Sequence, residues 1–207
     1  MTRTRIKICG ITREEDLDAA LAAGADAIGF VFYPKSPRAL TPLRAARLAE
    51  RVPPFVSRVG LFVNEDDDTV AATLEIVPLE VLQFHGDEDA VYCAEFGKPW
   101  IKAARVRPGL DLVEFARSFS SAQALLLDAH VEGYGGAGQT FDWSLIPNEL
   151  PLPMILSGGL TAENVGDAIR RLHPWAVDVS SGVESAKGIK DAARIAAFVA
   201  AVKSADA

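Results

Sequence analysis

Eight short, continuously apolar runs recur along the chain at near-regular intervals, and this repetition limits the folds open to it more than any other feature. They cover residues 6–9, 27–32, 55–63, 81–84, 100–103, 124–128, 153–157 and 176–179. Unbroken apolar runs, unlike alternating ones, belong to strands buried on both faces, hence to a parallel sheet covered by helices. Between the runs the spacing turns helical: Leu17, Leu21 and Gly24 stand at i, i+4 and i+7, as do Val165, Ile169 and Leu172. Thr12 with Glu15 predicts a capping box for the first helix, and Thr161 an N-cap for a later one. Residues 189–203 read as a last helix with Ile195, Phe198, Val199 and Val202 on one face. Eight units in 207 residues, about 26 each, leave an open doubly wound sheet or a closed (β/α)8 barrel. The count favours the barrel, and with no linker or low-complexity segment in view a single domain over 1–207 is predicted.

Composition narrows the function classes. At 49% hydrophobic and 24% charged the chain is that of a folded protein, and its two cysteines do not suit a disulfide framework. No apolar run approaches the roughly 18 residues of a membrane span, and residues 1–25 lack a signal peptide's apolar core, so a cytoplasmic protein without a membrane partner is predicted. A net charge of −7 with no basic stretch argues against nucleic acid. If the substrate is anionic, local groups must attract it against the net field. Nothing in the sequence separates a monomer from a homodimer.

Several runs end in a polar residue followed by a turn: Cys9-Gly10, His85-Gly86, Asp128-Ala129 and Ser157-Gly158. A barrel gathers its site from such strand ends. Gly158 and Gly159 follow the seventh run, and Ser181 and Gly182 the eighth, where barrels commonly hold phosphate, although glycines there also make ordinary tight turns. Cys9, flanked by Lys7, is either a small buried apolar residue or a thiol whose pKa a nearby cation lowers. Cys93 reads as packing. Asp128 ends an apolar strand, where it either caps the next turn or, its pKa raised by desolvation, suits a general acid. Asp178, within a strand, must face the barrel mouth or pair with a cation. Arg38 lies in a loop stiffened by two prolines and is either a solvated loop charge or a planar fork matched to a carboxylate, and His85 either binds or shuttles protons or is a satisfied structural histidine. With only His85, His130 and His173 available, a metal centre is disfavoured. Gly133 to Gly138 spells G-x-G-x-x-G without a strand running directly into a helix. It fits a mobile lid better than a dinucleotide site.

Taken together, Lys7-Ile8-Cys9-Gly10-Ile11-Thr12, Ser36-Pro37-Arg38, Gly60-Leu61-Phe62-Val63-Asn64, Leu82-Gln83-Phe84-His85-Gly86, Phe141-Asp142-Trp143, Ser157-Gly158-Gly159-Leu160 and the segment from Asp178 to Glu184 resemble the phosphoribosylanthranilate isomerases. The resemblance implies a (β/α)8 barrel of tryptophan biosynthesis that performs a cofactor-free Amadori rearrangement on a small anionic substrate. By position it makes Cys9 the general base, Asp128 the general acid and Arg38 the partner of the anthranilate carboxylate. Backbone groups of Gly158, Gly159, Ser181 and Gly182 would hold the phosphate. Asp178 would meet the ribose hydroxyls or the bridging nitrogen, and Lys7, Gln83 and His85 complete the substrate-binding set. Gln139 stands where the family more often has a lysine. Two other readings remain: a sugar-phosphate epimerase, which would favour metal ligands at strand ends, and a phosphate-binding module without turnover, which need not keep Cys9 and Asp128.

Overall fold

The structure, a computed structural model, describes residues 3–129 and 141–207. The strands are β1 (Arg5–Cys9), β2 (Ala27–Val31), β3 (Ser57–Phe62), β4 (Val81–Phe84), β5 (Trp100–Val106), β6 (Ala124–Ala129), β7 (Met154–Leu156) and β8 (Ala176–Val179). All are parallel, and β8 pairs with β1 to close an eight-stranded barrel. The helices are α1 (Glu14–Ala23), α2 (Pro42–Ala49), α3 (Asp67–Ile76), α4 (Ala90–Ala94), α5 (Leu112–Ser118), α6 (Val165–Leu172) and α7 (Ala192–Ala205). Past β8 a short hairpin, β9 (Glu184–Ala186) and β10 (Ile189–Lys190), precedes α7. The closed barrel therefore prevails over the open sheet. Among the described residues no helix is long and apolar enough to cross a membrane.

Strand parity explains why the runs are apolar throughout. Ile6, Ile8, Ile28, Phe30, Leu82, Phe84, Leu125, Leu127 and Val177 point outward into one layer with Leu17, Leu48, Val70 and Phe198 of the helices. The alternate residues fill the barrel: Val81, Ile101, Ala103, Ala124, Leu126, Ile155 and Ala176 form one cluster, and Cys9, Val31, Leu61 and Val63 another. Continuing the same alternation places Lys7, Gln83, His85, Asp128, Ser157 and Asp178 on the inward face, toward the C-terminal ends of their strands.

Local expectations fail where tertiary contacts compete. α1 begins at Glu14 with Arg13 at its N-cap and no side-chain cap, because the Thr12 hydroxyl donates instead to Gly188 O at 2.6 Å. Thr161 does not cap α6: a turn intervenes, Asn164 takes the N-cap, and Asn164 Oδ1 accepts from Thr161 N at 2.8 Å. The last helix starts at Ala192, capped by Asp191, since Ile189 and Lys190 are in the hairpin. The third run is shortened to Ser57 because Phe55 adopts a left-handed φ of 70° that no strand accommodates. His130, Gln139 and the glycine-rich segment 133–138 lie outside the described residues.

Candidate active site

Three polar groups occupy the C-terminal mouth of the barrel. The first joins β1 and β8, where Lys7 stands in register with Asp178. Lys7 Nζ donates to Asp178 Oδ1 at 2.7 Å, and Ser157 Oγ to Asp178 Oδ2 at 3.2 Å. Both sequence alternatives for Asp178 hold together, since it faces the mouth and is paired. Burial works against the charge on Lys7, but Asp178 and the neighbouring Cys9 outweigh it and hold the ammonium above its ordinary range. Cys9 stands beside this pair. Gly29 on β2 makes room for it, since a Cβ there would lie 2.7 Å from the Cys9 sulfur.

The expected effect of a cation on Cys9 is overturned in its net direction. Burial pushes the thiol up; Lys7 and, more weakly, Lys190 pull it down, while Asp178 raises it again, and burial prevails. Cys93, packed on α4, is pushed by burial up to about 12 and is inert at neutral pH, in keeping with a packing role.

The second group is Arg38, Glu184 and Lys190. Arg38 donates from Nε and Nη2 to the two Glu184 oxygens at 2.7 and 2.8 Å, and Lys190 Nζ donates to Glu184 Oε1 at 2.9 Å. The bidentate edge of the Arg38 fork, expected to be open to a substrate carboxylate, is therefore taken by an internal one. Burial disfavours the Glu184 charge, but the Arg38 hydrogen bonds and Lys190 hold its carboxyl below the usual range. Burial draws Lys190 down despite Glu184. Sequence reasoning missed the roles of Glu184 and Lys190. The signal available was Lys187-Gly188 between two short extended segments, a hairpin pattern that the helical reading of residues 189–203 obscured.

The third group lies across β4 and β6. His85 Nε2 is 3.1 Å from Asp128 Oδ2, and His85 Nδ1 is 3.1 Å from Gln83 Nε2. Asp128 Oδ1 also accepts from Ala129 N at 2.9 Å. Gly158, at φ +81°, packs against this carboxylate, and a Cβ there would stand 2.7 Å from Ala129 N. Gly159, Ser181 and Gly182 turn elsewhere: with Thr161 and Arg194 they line a hollow of ≈ 480 Å³. A Cβ on Gly182 would lie 1.9 Å from Leu160 O, so the two loops approach as only glycine allows. Arg194, a cation that sequence reasoning did not single out, donates to Glu184 O beside this hollow.

Comparison with known proteins places this arrangement. Residues 6–201 match the family model described as N-(5'phosphoribosyl)anthranilate (PRA) isomerase. The N-(5'-phosphoribosyl)anthranilate isomerase of Dechloromonas aromatica (strain RCB) is 69% identical over 204 residues, spanning 99% of this chain and 98% of that protein. A solved structure of monomers of the dimeric phosphoribosylanthranilate isomerase from Thermotoga maritima superposes with a TM-score of 0.87 at 40% identity, covering 97% of this chain and 99% of that one. A phosphoribosyl anthranilate isomerase in complex with reduced 1-(o-carboxyphenylamino)-1-deoxyribulose 5-phosphate also gives 0.87, at 42% identity with the same coverage. With a closed barrel, a mouth lined by Cys9 and Asp128 and likeness over nearly its whole length, this chain belongs to the N-(5'-phosphoribosyl)anthranilate isomerase family.

Proposed function

We propose that Cys9 and Asp128 are the base and acid with which this chain isomerises N-(5'-phosphoribosyl)anthranilate to 1-(o-carboxyphenylamino)-1-deoxyribulose 5-phosphate, a step of tryptophan biosynthesis. The observation that carries the assignment is that these two residues stand at the C-terminal ends of β1 and β6, Cys9 last in its strand and Asp128 next to last, on the inward face of one mouth beside the loops after β7 and β8. Asp128 delivers a proton to the furanose oxygen, the C–O bond breaks, and the nitrogen lone pair forms an iminium. The adjacent carbon is then acidic, because its C–H electrons can form a C–C double bond while the C–N double bond returns its pair to the cationic nitrogen. Cys9 as thiolate takes that proton, leaving an enolamine that tautomerises to the ketone. The electrons move within the substrate, so the chain needs only one acid and one base.

The other residues orient the substrate, which supplies a large part of the rate. Gly159, Ser181 and Gly182 hold the phosphate by backbone groups, Gly158 shaping the turn that leads to them, with Arg194 as the local cation that a chain of net charge −7 needs. Arg38 meets the anthranilate carboxylate through Nη1, the nitrogen that Glu184 leaves to it. Asp178, held by Lys7, accepts from the ribose hydroxyls or the bridging nitrogen, and Gln83 and His85 wall the site beside Asp128. The direct test forms the substrate in situ from anthranilate and phosphoribosyl pyrophosphate with a separate transferase and follows its disappearance. Absence of turnover by folded protein that binds the product analogue would leave a binding module. A substrate so charged does not cross membranes, which supports a cytoplasmic location.

The pH dependence follows from the Cys9 environment. The reactive thiolate fraction grows as pH rises through a thiol pKa above the ordinary value, so the acid limb of kcat/KM falls on the alkaline side of a free cysteine. Lys7→Met removes a cation that pulls this pKa down. It is expected to move the limb further up and to cut neutral-pH activity by about tenfold or more. A limb that stays put would remove Cys9 as the titrating base.

We infer in addition that the chain forms a homodimer through the N-terminal end of the barrel. There Phe55 is 104% exposed at a φ of 70°, a strained position for an aromatic residue. A hollow of ≈ 870 Å³ at the same end has Met154, Ile169, Pro174 and Trp175 in its lining, apolar surface for such a ring, beside the charged Arg3, Arg170 and Asp206. Phe55→Asp is expected to shift sedimentation from dimer to monomer with activity retained. An unchanged sedimentation coefficient would overturn the interface.

A further inference from the structure

Gln83 is wholly buried on the inward face of β4, two residues before His85, and its side chain makes a single polar contact, to His85 Nδ1. Its Oε1 is one of two buried side-chain polar atoms without a hydrogen-bond partner among the described residues. Leaving a buried acceptor unsatisfied costs free energy that an apolar side chain of the same size would avoid. What the amide offers in return lies at its other end, which touches a histidine whose far nitrogen touches Asp128.

We infer that Gln83 is a positioning residue that sets the tautomer of His85 and, through it, how Asp128 is held. With the Gln83 amide turned so that Nε2 faces the ring, that nitrogen can only donate, so Nδ1 presents its lone pair and the ring proton sits on Nε2, where the Asp128 oxygen accepts it. That proton donates to Asp128 Oδ2, while Ala129 N donates to Oδ1. Both carboxyl oxygens are then held from the protein side in one orientation, locked further by the close approach of Gly158. The opposite tautomer would turn a lone pair toward Oδ2 and accept the acid's proton there, away from the furanose oxygen. The catalytic half of this inference rests on Asp128 as the acid.

Long-range proton–nitrogen correlation spectra of the uniformly 15N-labelled protein read the tautomer without turnover. Only three histidines are present, and a His85→Asn variant identifies the relevant peaks. The expected result is a bare Nδ1 and a protonated Nε2 on His85. Gln83→Met, which fills similar volume without a donor, is expected to yield a mixture of tautomers. Its kcat should fall about 10- to 100-fold with KM within twofold. Gln83→Glu offers only acceptors and is expected to draw a proton onto Nδ1, with a larger fall in kcat. A protonated Nδ1 in the wild type, or a His85 spectrum unchanged by both substitutions, would overturn the inference. An Asp128→Asn enzyme that stays active would instead remove Asp128 as the acid, and with it the catalytic consequence, while the tautomer reading stands by itself.

Discussion

Asp128→Asn is expected to lower kcat by about 100- to 10,000-fold, the range that a positioned acid or base supplies, in a protein that folds and binds ligand as before. The amide keeps the shape of the carboxyl. Its oxygen can still accept from Ala129 N and the contact with Gly158 is unaltered, so the strand ends keep their places, while His85, now facing an amide nitrogen, accepts from it by shifting its ring proton to Nδ1 or turns aside. What is lost is a transferable proton at the furanose oxygen. Cys9→Ser is expected to fall by a similar factor, because a hydroxyl in the same dry position, walled by Gly29, is far harder to ionise than a thiol. The two losses should not multiply in the double variant, since an acid without its base and a base without its acid leave the same incomplete reaction. Stopped-assay rates, together with affinity for reduced 1-(o-carboxyphenylamino)-1-deoxyribulose 5-phosphate, separate the cases. Either single variant with kcat within tenfold of wild type would remove that residue from the chemistry.

Features that repeat along the chain are legible in its amino-acid order alone. The eight runs, the closure and the strand-end positions of Cys9, His85, Asp128 and Ser157 follow from periodicity, because burial on both faces leaves a parallel strand no other composition. Asp178 could be read as paired, since a lone charge inside a strand has few alternatives. Its partner could not, because Lys7 lies 171 residues away and meets it only through barrel closure. Arg38 failed in the same way at a separation of 146: a sequence presents its fork, but not that Glu184 already fills it. Thr12 failed because a distant carbonyl, Gly188 O, competes with the local cap for one hydroxyl. Net pKa directions are further from reach. The sign at Cys9 depends on burial set against two lysines from opposite ends of the chain.

Lys102→Met is expected to be the most destabilising single change outside the mouth, at about 3–5 kcal/mol. Lys102 lies in β5 between Ile101 and Ala103, which face the barrel, so it points outward into the helical layer, where it is 2% exposed. There its ammonium sits 5.4 Å from the Phe119 ring centroid and donates to Gly86 O at 3.0 Å and to Glu88 Oε2 at 2.8 Å. Glu88 accepts in turn from Asn64 N at 2.7 Å and Gly86 N at 2.9 Å, so one buried ion pair joins the loops after β3 and β4 to β5. Methionine fills the same tunnel but leaves the Glu88 charge buried without a counter-ion, and that residual charge, rather than the lost contact, sets the size of the effect. For a chain of this length the shift in Tm is on the order of 10 °C. Adding Glu88→Gln to Lys102→Met should recover part of the loss, because it removes the stranded charge while keeping an oxygen for one of the two backbone donors. The recovery should stay incomplete, since the other donor then faces an amide nitrogen. Urea denaturation of the wild type, the single variant and the double variant measures all three stabilities. A single-variant loss below about 1 kcal/mol, or a double variant no more stable than the single, would mean that water or rearrangement already compensates Glu88 and that this pair does not tie the three strands together.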